Sequence, residues 1–204
     1  MPNSLGKNNK GLSTKKRIAD ALYSLIQEII YDDITIYHIL NKANVSRRTF
    51  YRYFCSKDDL MDFCLDIFIE EYLQEREHFL VAQRPEEVFK VTLHFMYNKR
   101  DLITALIRSG HYQLIVRKFN SIAPEIFDDF ALPWNHIDDI PSKDAKYISR
   151  GLIGAYLNIM LYWLSEDEPL SPEIIAQDMV RLFSAIPLYF PEYLHPIHTK
   201  KNLH

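Results

Sequence analysis

Between Ser46 and Ser56 the chain signals two helix starts, and the element they enclose is short, basic and aromatic. Ser46 precedes Arg47-Arg48-Thr49-Phe50-Tyr51-Arg52-Tyr53-Phe54, and Ser56 precedes Lys57-Asp58-Asp59-Leu60. A serine at such a position caps the free amides of a first turn, and a carboxylate three residues later reinforces the second cap. Phe50 and Phe54 are four apart and share one helix face, which leaves the arginines and phenols to the other. An apolar back anchored to a scaffold and a donor-rich front are what an element lying in a DNA groove requires.

Charge supports a polyanion partner for that end of the chain. The net charge is −3, but residues 1–60 carry ten Lys/Arg against six Asp/Glu, and the remainder fourteen against twenty-one. A basic first third on an acidic body directs DNA to the N-terminal part only. With 48% apolar residues the 204-residue chain has enough to bury a core, so a disordered chain is excluded. Five glycines leave little for phosphate-cradling loops or many-turned β architecture.

Helical periodicity continues along the whole chain, and the fold class expected is all-α. Residues 1–13 are polar and read as a flexible arm, either tracking DNA or simply a solvated tail. A first helix is expected from Ser13 or Thr14 to about Ile30, with Ile18, Leu22, Leu25, Ile26 and Ile29 on one stripe. Thr35 caps a second helix, Asn44 takes the tight turn because Asn tolerates a left-handed backbone, and Ser46 caps the third. A fourth helix, from Asp58 to about Leu80, shows apolar stripes on two sides and is expected to be sandwiched between two packed bodies. Beyond it, helices are expected at about 85–98, 101–109, 111–130, 142–165 and 171–186. Pro85 and Pro172 suit first turns, Pro124 is expected to kink or split its segment, and 131–141 reads as a loop.

Three short helices with a tight turn before a basic third one form a helix-turn-helix. Ile34-Thr35-Ile36, Ala43-Asn44-Val45-Ser46, Thr49-Phe50-Tyr51-Arg52-Tyr53-Phe54 and Ser56-Lys57-Asp58-Asp59-Leu60, in that order and spacing, strongly resemble the TetR/AcrR family of transcription regulators. The resemblance covers residues 14–62. Its one departure is Asn44, where the family usually has Gly. The implied organisation is an arm (1–13), a helix-turn-helix DNA-binding domain (14–57), a helical effector-binding and dimerisation domain (58–190) and a C-terminal tail (191–204). Arg47 and Arg48 are placed to reach base edges, where arginine pairs best with guanine. Thr35, Tyr37, Thr49, Tyr51 and Tyr53 fall at family positions for phosphate or base contacts, and Lys57 sits at a helix N-terminus that favours phosphate. Arg52 has two candidate partners, DNA or the Asp58/Asp59 pair. Phe50, Phe54, Ile39, Val45 and Leu22 read as core.

The family's body implies a homodimer joined by its last two long helices, and an apolar cavity for a small-molecule effector. Gly151, Leu152, Ala155 and Ile159 on one helix and Ile175, Met179, Leu182, Phe183 and Ile186 on the next are the candidate dimer surface, although an intramolecular core has the same pattern. Pocket candidates are Phe68, Tyr72, Phe89, Phe95, Met96, Tyr112, Tyr156 and Trp163. Their rings equally suit an ordinary core. His94, His111 and Asn158 are possible polar handles.

The implied function is a sequence-specific regulator of double-stranded DNA, a ligand-released repressor or, with the same residues, a ligand-dependent activator. A third reading is a constitutive DNA-bound protein whose body recruits partners. No nucleophile elbow, P-loop or zinc motif is present, so an enzyme is not expected, nor a metal or cofactor. His195, His198 and His204 lack a ligand set. Cys55 and Cys64 cannot build a disulfide framework. No apolar run is long enough to span a bilayer and no secretory segment is evident, so a cytoplasmic protein is expected.

Overall fold

The computed structural model describes residues 4–75, 77–78, 82, 84–129 and 142–189. Among them are nine helices and no strand: α1 (Ser4–Glu28), α2 (Ile36–Ala43), α3 (Arg47–Tyr51), α4 (Lys57–Gln74), α5 (Pro85–Asn98), α6 (Arg100–Arg108), α7 (Gln113–Asp129), α8 (Ser142–Ser165) and α9 (Pro172–Tyr189). A 3-10 turn at Tyr31–Asp33 joins α1 to α2.

The caps act as the sequence indicates. The Thr35 hydroxyl accepts the His38 amide, and His38 Nδ1 accepts the Thr35 amide in return, so an imidazole completes the reciprocal cap. Ser46 Oγ accepts the Thr49 amide at 3.1 Å and Ser56 Oγ the Asp59 amide at 3.0 Å. Asn44 has φ 49° and ψ 54°, the left-handed turn expected of it. Five residues are far too few for an independent helix. What holds α3 is burial of Phe50 (0% exposed) and Phe54, each contributing on the order of 1.5–3 kcal/mol.

One buried cluster runs from the head, where Ile18, Leu22, Ile26, Ile39 and Phe50 meet, into the body. The bridge is α4. Leu60 and Met61 are buried at its head end and Leu65, Phe68, Ile69 and Tyr72 along its length, as two apolar stripes require. α1 packs on α2, α4 and α6, α4 on α7, α7 on α8, and α9 on α5. Lys118 of α7 binds Asp62 at 3.0 Å and also Asp66, both on α4. Partial burial works against its charge, but the two carboxylates outweigh this and raise its pKa.

Three boundaries differ from expectation. The stretch expected as an arm is helical from Ser4 on; a Cβ built at Gly11 would lie 3.7 Å from the Tyr53 hydroxyl, so the added turns reach the segment just past α3. α1 stops at Glu28 and α4 at Gln74, earlier than the apolar pattern suggests. α7 runs through Pro124 without splitting, at the cost of the amide donor proline cannot supply. The expected loop 131–141 and tail 191–204, with their histidines, lie outside the described residues.

Candidate nucleic-acid interface

α3 presents its arginines as expected. Arg47 and Arg48 are exposed, Tyr51 is 46% exposed, and the Arg47 guanidinium lies 5.6 Å from the centroid of the Tyr51 ring. That cation–π contact restrains a long, exposed side chain. Tyr37, 69% exposed on α2, adds a phenol to the same head. Thr35 and Thr49 are less free: the Thr35 hydroxyl caps α2, and Thr49 Oγ1 lies 2.9 Å from Ser46 Oγ. Tyr53 is half-buried beside Gly11. Arg52, which had two candidate partners, pairs with neither carboxylate. Asp58 accepts the Tyr31 hydroxyl at 2.7 Å, Asp59 accepts the Cys55 amide at 2.7 Å, and Arg52 is exposed with no partner among the described residues.

Lys57 differs from its expected use as a phosphate ligand. Its ammonium donates to the Tyr31 carbonyl at 2.6 Å and the Asp32 carbonyl at 3.3 Å, and lies 4.3 Å from the Tyr31 ring centroid. Two of its three donors are therefore engaged inside the protein. Sequence reasoning missed this because the carbonyls lie more than twenty residues away.

The same turn is held from the body. The Tyr31 amide donates to Ser109 Oγ at 3.2 Å, His111 Nε2 lies 2.8 Å from Asp32 Oδ1, and the Tyr31 and His111 rings meet edge to face at 5.0 Å. Burial, then the Asp58 hydrogen bond, push the Tyr31 phenol upward, so it stays a donor. A cavity of about 240 Å3 opens beside this clasp, lined by Tyr31, Asp58, Leu65, His111 and Arg117 among others.

Within the body, Phe68 and Tyr72 each meet Phe95 and Phe119 at ring separations of 5.2–6.1 Å, and Phe89 stacks on Tyr156 at 6.0 Å. Met96 is fully buried. Two pocket candidates do not join these rings. Trp163 stacks on Tyr97 and donates its indole N–H to the Leu170 carbonyl at 2.8 Å, so its polar group is consumed by the α8–α9 turn. Tyr112, half-buried at the start of α7, makes no ring contact with them among the described residues. The polar handles also lie elsewhere: His94 meets Glu173 at 2.8 Å on the surface, His111 belongs to the clasp, and Asn158 donates to the Gly154 carbonyl.

Of the candidate dimer residues, Gly151, Ala155 and Leu182 are exposed and Ile159 and Ile175 half-buried. Met179 is corrected: at 1% exposure it belongs to the subunit's own core, where α9 packs on α5. The side chains of Leu152, Phe183 and Ile186 lie outside the described residues. Cys64 is half-buried, its thiol pushed up to about 12 chiefly by desolvation, and Cys55 is exposed. Among the described residues no Cys, His, Asp and Glu side chains group as a metal site, and no helix is long and apolar enough to cross a membrane.

Comparison with known proteins agrees with this architecture. The family described as bacterial regulatory proteins, tetR family, matches residues 18–62, and a transcriptional regulator C-terminal region of the same group matches residues 83–185. An uncharacterized HTH-type transcriptional regulator of Bacillus subtilis, YxbF, is 26% identical over 87% of this chain. The chain spans 47% of that relative's length. A TetR transcriptional regulator from Streptococcus agalactiae shares the fold at TM-score 0.59 and 24% identity, over 89% of this chain and 97% of its own. The dihydroxyacetone kinase operon activator DhaS does so at TM-score 0.56 and 20% identity, over 84% and 94%. The chain belongs to the TetR family of transcriptional regulators, a family of DNA-binding proteins rather than enzymes.

Proposed function

We propose that the chain is a ligand-responsive repressor that binds a palindromic operator as a homodimer, acting in the cytoplasm. The observation that carries this reading is the surface of α3, where Arg47, Arg48 and Tyr51 stand exposed over the buried Phe50 and Phe54. Arg47 and Arg48 read base edges, Tyr37, Tyr51 and Arg52 contact the backbone or bases, and Thr35, Thr49 and Tyr53 serve at the margin. The exposed Gly151, Ala155 and Leu182 support pairing of α8 and α9 with those of a second copy. Two heads on a closed dimer match half-sites about 34–36 Å apart. The aromatic interior of the body is the effector site, and α4 joins it to the heads. A ligand acts there by preferring one head spacing over another, typically by ~1–3 kcal/mol.

Selection of bound sequences from a random duplex library tests the reading. A palindromic consensus is expected, with Arg47→Ala or Arg48→Ala costing ~1–3 kcal/mol on the consensus and relaxing one position. Equal losses on consensus and random DNA would make them backbone contacts. A protein that enriches no sequence, alone or with effector candidates, favours partner recruitment instead. The sign is read from a promoter reporter; the kinship with a protein named as an operon activator makes activation the alternative.

A further inference from the structure

The joint between head and body holds a cavity of its own, apart from the aromatic interior. Its volume is about 240 Å3, and its walls come from the first turns of α4, the Tyr31 turn, and the segment from His111 into α7. The lining carries charge of both signs, and part of it is already engaged. Asp62 is ion-paired with Lys118 at 3.0 Å, and His111 Nε2 lies 2.8 Å from Asp32 Oδ1. Asp58 accepts the Tyr31 hydroxyl through Oδ1 at 2.7 Å, which leaves its Oδ2 without a partner among the described residues. Arg117, exposed on α7, has no partner there either. One carboxylate and one guanidinium, from different helices, therefore face the same cavity without pairing with each other. Beside them the lining is apolar: Leu65 is buried and Leu114 half-buried.

Those groups restrict what the cavity takes. An anion would meet Arg117 but also the Asp58 carboxylate. A cation would meet Asp58 and be repelled by Arg117. An uncharged apolar molecule would strip water from both charges and replace it with nothing. A molecule that carries both charges close together on an apolar body satisfies each of them. It is also small, because drug-sized ligands occupy roughly 300–1,000 Å3.

Independently of the effector reading above, we infer that the joint cavity binds a small aliphatic α-amino acid as its zwitterion. The ammonium pairs with Asp58, the carboxylate with Arg117, and the side chain packs against Leu65 and Leu114. The forked donors of arginine suit a carboxylate. Tyr31 is one wall of the cavity and belongs to the turn between α1 and α2, so the ligand touches head and body at once.

The test uses leucine, isopentylamine and 4-methylpentanoate as probes, titrated into the full chain by calorimetry near neutral pH. The three share one branched skeleton, and each analogue lacks one of leucine's two charged groups. The wild type is expected to bind leucine roughly fivefold tighter than either analogue, the upper range of one exposed ion pair. Asp58→Asn keeps an oxygen for the Tyr31 hydroxyl, and Arg117→Gln changes an exposed residue, so both variants should unfold at the wild-type temperature. Asp58→Asn should bind leucine no tighter than 4-methylpentanoate, and Arg117→Gln should bind leucine no tighter than isopentylamine. If Asp58→Asn unfolds early, Arg117→Gln decides alone. An analogue bound as tightly as leucine by the wild type overturns the zwitterion assignment. Leucine binding unchanged in both variants would put the amino acid elsewhere on the chain and overturn the site. No leucine binding also overturns it, and leaves the interior effector reading to its own ligands.

Discussion

At Asn44 the backbone turns left-handed, with φ 49° and ψ 54°, and its amide donates to the Asn41 and Leu40 carbonyls to close α2. For most L-residues that conformation costs roughly 1–2 kcal/mol, which Asn reduces and Gly avoids. Asn44→Gly should therefore leave stability within about 0.5 kcal/mol, whereas Asn44→Val should lower it by ~1–2 kcal/mol in urea unfolding. Equal stability of the Val variant would mean that the turn relaxes to another geometry. The turn was legible because local sterics decide it. Arg52 was not, since its side chain had two partners within reach and only the packed head commits both carboxylates elsewhere.

Among elements, α4 has the largest share of the architecture. Its N-terminal Lys57 clamps the 3-10 turn, Asp58 holds the Tyr31 hydroxyl, and Phe68 and Tyr72 enter the body's aromatic interior. Charge-assisted hydrogen bonds of this kind contribute about 1.5–3 kcal/mol, here near the lower end because the site is only partly buried. Lys57→Ala is expected to lower the unfolding free energy by ~1.5 kcal/mol without DNA, and to change the salt slope of DNA binding by less than one. A full unit of slope with no loss of stability would show that the ammonium leaves the carbonyls for a phosphate. The two-sided apolar pattern identified α4 as a connector. The clasp was invisible, because Ser109 and His111 reach Tyr31 and Asp32 across nearly eighty residues.

For the molecule as a whole, the proposed dimer requires a surface that faces a second copy. Ala155 and Gly151 are exposed on α8, and Tyr162 on the same helix is 73% exposed. Ala155→Arg should give a monomer by analytical ultracentrifugation with unchanged helicity, and should reduce affinity for a full palindrome to that for a half-site. A drop in thermal stability at constant mass would instead place Ala155 inside its own subunit. Met179 shows why sequence alone could not draw this surface. On the helical wheel it falls with the dimer candidates, yet α9 turns it onto α5.

By itself the sequence determined the helices, their caps, the left-handed turn and the exposed arginines over paired phenylalanines, since each rests on contacts within a turn or two of chain. Helix periodicity, Ser46, Ser56 and Asn44 needed nothing from elsewhere. Tertiary structure alone decided where the engaged polar groups point: Lys57 to carbonyls and Trp163 to the Leu170 carbonyl. Those outcomes depend on which helix faces which, and that is set by packing between residues far apart in sequence.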